Sequence, residues 1–279
     1  EAVRNDGRAA DALPSFAGKR VLAADDSAVN REVVAAALAR FEIAPVIVED
    51  GRAAVEAVKR EQFDLVLMDC SMPGMDGFEA TRAIRAFEKD QGRPHTPVIA
   101  LTAHVAGSED AWRAAGMDDY VTKPFTIGSL AKAICARLEP TGVVKPRRLP
   151  DAAATPAKTS ATSATKRPIF DEGVLGKLDQ LGDGVADRTL SLFEKHSKEA
   201  ALGVADAVKS GVSGDVKRAA HALKSMSLNV GANRLAAICD AIESEESEFS
   251  AHLPTLREEF LRTHKALPAI RKQYEKSAA

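Results

Sequence analysis

Between residues 19 and 139, short apolar runs alternate with stretches in which apolar residues recur every three to four positions. The runs, at 21–24, 44–48, 63–68, 97–101 and 120–122, predict strands. The stretches between and after them, at 28–40, 51–60, 77–89, 107–115 and 127–138, predict helices. The strands read as nearly continuous apolar segments rather than alternating ones, as expected when both faces of a parallel sheet are covered by helices. Residues 140–168 break this rhythm. They hold five of the 13 prolines, seven Ser or Thr and six Lys or Arg, the composition of an extended linker that buries little. After residue 169 strand signals stop. Helical spacing continues through 174–181, 186–209, 215–230, 233–243 and 253–275, punctuated by Gly211, Gly214 and Gly231, which predicts an all-α bundle. The expected organisation is thus a tail at 1–18, an α/β domain at 19–139, a linker at 140–168 and a helical domain at 169–279.

Charge narrows the possible partners. The net charge of −2 divides into −1 for residues 1–18, −4 for 19–139, +5 for 140–168 and −2 for 169–279. Neither predicted domain is basic, so nucleic-acid binding is not expected. Cys70, Cys135 and Cys239 lie far apart, which excludes a disulfide framework and fits a reducing, cytoplasmic setting. No apolar run approaches the ~18–20 residues a bilayer requires, and no membrane contact is expected of this chain. The longest run, at 33–39, is an alanine-rich helix fragment. The chain opens on Glu1, and residues 1–18 read as the exit from an upstream region, which in a longer parent could carry a membrane anchor.

In an open parallel sheet, functional groups gather at the C-terminal strand ends. The first predicted strand ends at Asp25-Asp26, the third at Asp69, the fourth at Thr102 and the fifth at Lys123-Pro124. Three carboxylates, a hydroxyl and an ammonium would therefore converge. Carboxylates this close repel unless a cation joins them, and a few hard oxygen donors suit Mg²⁺. A carboxylate can also attack phosphorus and become an aspartyl phosphate. Taken singly, each residue has a plainer reading: Asp25 and Asp26 as helix caps, Thr102 as a strand end, Lys123-Pro124 as a surface turn, Asp69 as a turn former.

Together these residues resemble a response-regulator receiver domain: the Asp25-Asp26 pair, the run from Asp69 through Cys70, Ser71, Met72, Pro73, Gly74, Met75 and Asp76 to Gly77, Thr102-Ala103, and Lys123-Pro124-Phe125. The resemblance implies a five-stranded parallel sheet in the flavodoxin-like order 2-1-3-4-5. It implies Asp69 as phospho-acceptor, and Asp25, Asp26, Asp69 and the Ser71 carbonyl as Mg²⁺ ligands. Thr102 and Lys123 would contact the phosphoryl group, and Tyr120 would be the switch aromatic unless it is an ordinary strand residue. Ser71 and His104 would tune phosphate lifetime, and Cys70 reads as a packing residue.

Among the six histidines none pairs at HExxH spacing. Around His221 the apolar-to-small stripe comprises Val216, Ala219, Ala220, Leu223, Met226, Ser227 and Val230. His221 falls on the far face beside Lys217, Arg218, Lys224 and Ser225. On its own it reads as a solvated histidine; as a nucleophile it would stand on an open, flat face. The run from His221 through Ala222, Leu223, Lys224, Ser225 and Met226 to Ser227, followed by Gly231, resembles the histidine-phosphotransfer (HPt) motif. That resemblance implies His221 as the phospho-histidine and Lys224 as its supporting lysine. Ser225 departs from it, since the family usually has glycine there, and docking or partner choice would shift accordingly.

An acceptor aspartate and an acceptor histidine in one chain imply the later part of a phosphorelay. The phosphoryl group would come from a histidine kinase catalytic region, pass through Asp69 to His221, and leave to a downstream response-regulator receiver. Neither a P-loop nor a glycine-rich nucleotide lid is visible, so autophosphorylation from ATP is not expected, and the chain resembles the C-terminal part of a hybrid sensor histidine kinase. Two other readings stay open: a Mg²⁺-dependent phosphohydrolase of the haloacid dehalogenase type, and a non-catalytic interaction module switched by phosphorylation.

Overall fold

A computed structural model describes residues 13–102, 109–144 and 168–275. His104 and Ala103, the outer tail 1–12 and the segment 145–167 lie outside the described residues. The elements of the first domain are β1 (Leu13–Ser15), β2 (Val21–Ala24), α1 (Ala28–Ala39), β3 (Val46–Val48), α2 (Gly51–Arg60), β4 (Leu65–Asp69), α3 (Gly77–Gln91), β5 (Val98–Thr102), α4 (Glu109–Ala114), β6 (Asp119–Thr122), α5 (Ile127–Cys135) and β7 (Gly142–Val144). Five strands form a parallel sheet in the order β3-β2-β4-β5-β6, which is the expected 2-1-3-4-5 arrangement counted from β2.

Period-two alternation divides the buried strands between two cores. Val21, Ala23, Leu65, Leu67, Ile99 and Leu101 meet Val34 and Leu38 of α1 and Ile134 of α5 on one face. Leu22, Val66, Met68, Val98 and Ala100 meet Val55 and Val58 of α2 and Ile84 of α3 on the other. Both faces are apolar because both are covered, which is why the strands read as unbroken hydrophobic runs. At the sheet edge β3 leaves Val46 and Ile47 partly in solvent.

The expected tail and linker are corrected at their inner ends. Leu13–Ser15 pairs antiparallel with Gly142–Val144, so the segments entering and leaving the domain form a small sheet of their own. Phe16 is fully buried, its ring edge-on to Phe41 at 6.3 Å, and its amide donates to the Phe41 carbonyl at 2.9 Å. Three-residue strands are too short to leave a periodic signal in the sequence.

The second domain contains α6 (Glu172–Leu181), α7 (Val185–Ser210), α8 (Ser213–Asn229), α9 (Asn233–Ser244) and α10 (Leu253–Glu275). Leu175, Leu190, Phe193, Val216, Leu223, Leu235 and Leu267 are among its fully buried core residues. Two residues of α1, Val29 and Val33, belong to this core as well. Helix α1 therefore buries Val34 and Leu38 against the sheet and Val29 and Val33 against the bundle. A helix apolar on two sides is one covered on two sides, and this accounts for Val33, Val34, Ala37 and Leu38 within the apolar run at 33–39.

Candidate functional site

The strand ends bring the acidic residues together. Oxygen atoms of Asp25, Asp26 and Asp69 all lie within 4.8 Å of one another. Asp25 and Asp69 are buried, and Asp26 is half-buried. Lys123, after β6 and joined to Pro124 by a cis peptide, reaches between them. Its Nζ lies 2.7 Å from Asp25 Oδ2 and 2.8 Å from Asp69 Oδ2. Thr102 ends β5 beside Thr122 in register, with its carbonyl accepting from the Lys123 amide at 2.7 Å. The Ser71 amide donates to Asp69 Oδ1 at 3.3 Å from an exposed turn. Tyr120 is half-buried, its ring 5.6 Å from that of Trp112.

Asp25 is held on several sides. Its Oδ1 accepts from the Ser27 amide at 3.0 Å and from Asn30 Nδ2 at 2.9 Å. Burial nevertheless dominates: it pushes the Asp25 carboxyl up to about 6, with Lys123 opposing and Asp69 adding to the rise. Asp26 is likewise raised to about 6, by burial first and then by the Asp25 charge. Lys123 is driven up despite burial, because Asp25 and Asp69 outweigh the loss of solvent. Three carboxylates against one ammonium leave a negative, oxygen-lined cluster, and such a donor set fits a hard divalent cation. The Cys70 thiol is pushed up to about 12 by burial and stays protonated, in keeping with a packing role.

Gly77 fixes the acceptor's backbone. It opens α3, whose N-cap Asp76 accepts from the Glu79 amide at 2.7 Å. A Cβ on Gly77 would lie 2.1 Å from the Asp69 carbonyl oxygen. Gly77→Ala is therefore expected to cost about 2 kcal/mol and to slow any chemistry at Asp69, because backbone must yield rather than a flexible side chain. Thermal unfolding of the variant checks the first effect, and unchanged stability would refute it.

His221, in α8, differs from the expected open setting. Its side chain is only 13% exposed. Its Nδ1 lies 2.8 Å from Glu243 Oε1 of α9. A carboxylate accepts, so Nδ1 carries the hydrogen and Nε2 keeps its lone pair. Lys224 is buried and its ammonium binds Glu243 at 2.9 Å and Asp240. Burial works to raise the Glu243 carboxyl, yet its hydrogen bonds and charge contacts with His221 and Lys224 bring it down to about 2. Glu243 and Asp240 were not foreseen. They stand 22 and 19 residues from His221, on the next helix, where helical spacing around the histidine carries no sign of them.

The two centres adjoin the contact between the domains: Asn30, which holds Asp25, also meets Ser225 on the helix that carries His221. Phe125, two residues after Lys123, packs against the bundle core as well as its own. The departure noted at Ser225 lies in this contact: Ser225 is buried, and its Oγ accepts from Asn30 Nδ2 at 2.9 Å.

A family model described as "Response regulator receiver domain" matches residues 21–135, and one described as "Hpt domain" matches residues 188–273. The sensor protein GacS of Pseudomonas syringae pv. syringae is 47% identical over 116 residues, 41% of this chain and 13% of that protein. Histidine kinase 2 of Arabidopsis thaliana is 37% identical over 142 residues, 44% of this chain and 12% of that protein. The match thus spans a small part of these relatives' length. The receiver domain of the sensor histidine kinase PA1611 from Pseudomonas aeruginosa PAO1 is similar at 38% identity and a TM-score of 0.40, over 43% of this chain and 98% of that one. Its structure has a magnesium ion coordinated in the active-site cleft.

Proposed function

Because the chain is a two-component phosphorelay module, a response regulator receiver domain followed by an Hpt domain, we propose that Asp69 and His221 are its two phosphoryl acceptors. The observation that carries this reading is the pairing of two complementary centres. One is a carboxylate cluster crossed by a buried ammonium. The other is an imidazole whose Nδ1 is held by a carboxylate, leaving Nε2 as nucleophile.

In the first step a carboxylate oxygen of Asp69 attacks phosphorus on a donor phosphohistidine. The P–O bond forms, the P–N bond breaks, and the electron pair leaves with the donor imidazole. Lys123 and Thr102 neutralise and position the phosphoryl oxygens. In the second step Nε2 of His221 attacks, and the P–O electrons return to the Asp69 carboxylate. Glu243 holds Nδ1–H throughout and offsets the positive charge that grows on the ring. Lys224, tied to Glu243 and Asp240, supports that carboxylate and lies at the edge of the site.

Asp25, Asp26, Asp69 and the Ser71 carbonyl would hold Mg²⁺, which supplies the positive charge that lets phosphoryl oxygens approach three carboxylates. On this reading Tyr120, half-buried beside Trp112, registers phosphorylation by moving inward as Thr102 shifts. The donor is a histidine kinase catalytic region, in the same or another chain, and the final acceptor is a downstream receiver. Three free cysteines suit work in the reducing cytoplasm.

The test is to incubate the chain with Mg²⁺ and acetyl phosphate and to follow the label on a phosphate-affinity gel after acid or base treatment. Wild type should show a base-labile acyl phosphate, followed by an acid-labile phosphohistidine. His221→Ala should keep only the first. An acid-labile label persisting in His221→Ala, or a label stable to both treatments, would overturn the assignment.

A further inference from the structure

The contact between the two domains has a polar centre within an apolar ring. Val29, Val33 and Phe125 supply the apolar side. At the centre stands Asn30, 2% exposed on the first turn of α1. Its Nδ2 donates to Ser225 Oγ at 2.9 Å and to Asp25 Oδ1 at 2.9 Å, and its Oδ1 accepts from Asn229 Nδ2 at 2.6 Å. Ser225 and Asn229 lie one turn apart on α8, and both are buried. Both amide hydrogens of Asn30 are thus used, one on each side of the interface. At the rim, Arg188 meets Glu32 at 2.8 Å and Arg40 donates to the Gln180 carbonyl at 2.9 Å.

We infer that Asn30 is the residue by which this receiver domain selects the HPt domain of its own chain, so that transfer from Asp69 to His221 takes place within one molecule. The inference rests on the relay reading above and adds to it the partner and the order of events. A buried polar group is costly when its partner is lost, so a receiver without an amide at this position would leave Asn229 and Ser225 buried and unmatched. Conversely, a glycine in place of Ser225, as the HPt resemblance leads one to expect, would give Asn30 no acceptor. Asn30 also holds Asp25, so the bonds that seat the bundle are the bonds that fix one wall of the acidic cluster. Docking and site geometry share one side chain. Because α1 covers α8 beside His221, an outgoing receiver reaches the phosphohistidine only after the chain's own receiver domain has left. Input and output are therefore mutually exclusive at one face.

The test follows transfer from labelled Asp69 to His221 in the full chain. Transfer within one molecule has a rate unchanged over about a hundredfold dilution, because the linker sets the local concentration. Asn229→Ala should slow transfer about tenfold while the base-labile labelling of Asp69 stays at the wild-type rate. Glu32→Arg, which sets two cations against each other at the rim, should slow it a few-fold, and adding Arg188→Glu should restore it. That rescue separates docking from any general loss of folding. A transfer rate that rises with protein concentration, or full-speed transfer in Asn229→Ala, would overturn the inference while both labels, and so the relay reading, remain. Absence of label at both Asp69 and His221 would remove the relay reading itself and the inference with it.

Discussion

Asp69→Asn is expected to erase both labels, the acyl phosphate and the phosphohistidine, and to leave the protein folded with a stability close to wild type. The amide matches the carboxylate in volume and keeps an oxygen to accept from the Ser71 amide. Its nitrogen lone pair is delocalised and is no nucleophile, so labelling should fall by at least about a thousandfold, the scale on which an enzyme loses rate when its nucleophile is removed. The amide NH2 then faces the Lys123 ammonium where Asp69 Oδ2 stood at 2.8 Å, donor against donor, but one of three crowded carboxylates is gone and Lys123 keeps its 2.7 Å contact with Asp25, so the two effects offset. Thermal unfolding and phosphate-affinity gels on the same sample separate a dead site from a lost fold. A phosphohistidine that survives in Asp69→Asn would mean that acetyl phosphate reaches His221 directly, and the Asp-to-His order would fail.

Lys123→Met should be the most destabilising change at the site, by about 3–5 kcal/mol at pH 8 without divalent cation, the usual result of removing one partner from a buried ion pair. The ammonium is 2% exposed and binds two carboxylates, so its loss leaves them facing each other without solvent. The penalty should depend on pH in a definite sense. Asp25 and Asp26 ionise near 6 in the folded protein, against 3.8 ordinarily, chiefly because they are buried. The folded state therefore binds more protons than the unfolded chain between about pH 4 and 6, and these two groups withdraw stability as pH rises through that window. The variant's deficit relative to wild type at the same pH should be smallest near pH 5 and largest above 6. Added Mg²⁺, which on the proposed reading would bind the assembled cluster and not the unfolded chain, should recover part of it. Urea unfolding at pH 5 and pH 8, with and without Mg²⁺, reads all of this. An equal deficit at both values would assign the loss to packing of the lysine stem and not to its charge.

The period of apolar residues determined most of the architecture. The strand at 21–24 falls where its pattern places it, and the other sheet strands shift by two residues or fewer at either end, because a strand buried on both faces needs only a short apolar run to declare itself. Parallel crossovers then require the strand ends to share one edge, so topology alone brings Asp25, Asp69 and Lys123 together. The run at 33–39 is apolar over more than one helix face, and α1 is accordingly covered on two sides, Val33 by the bundle and Val34, Ala37 and Leu38 by the sheet. What only the tertiary structure decided is of another kind. Phe16 and the pairing of Leu13–Ser15 with Gly142–Val144 depend on chain ends meeting across more than 120 residues. Glu243 reaches His221 from a neighbouring helix, and Asn30 meets Ser225 from 195 residues away. Helical period tells which face of α8 is absent from its own core, but not what else covers that face, and so His221 read as open. Periodicity is a property repeated along an element, whereas one polar side chain meeting one partner happens once, and only packed elements bring the two within reach.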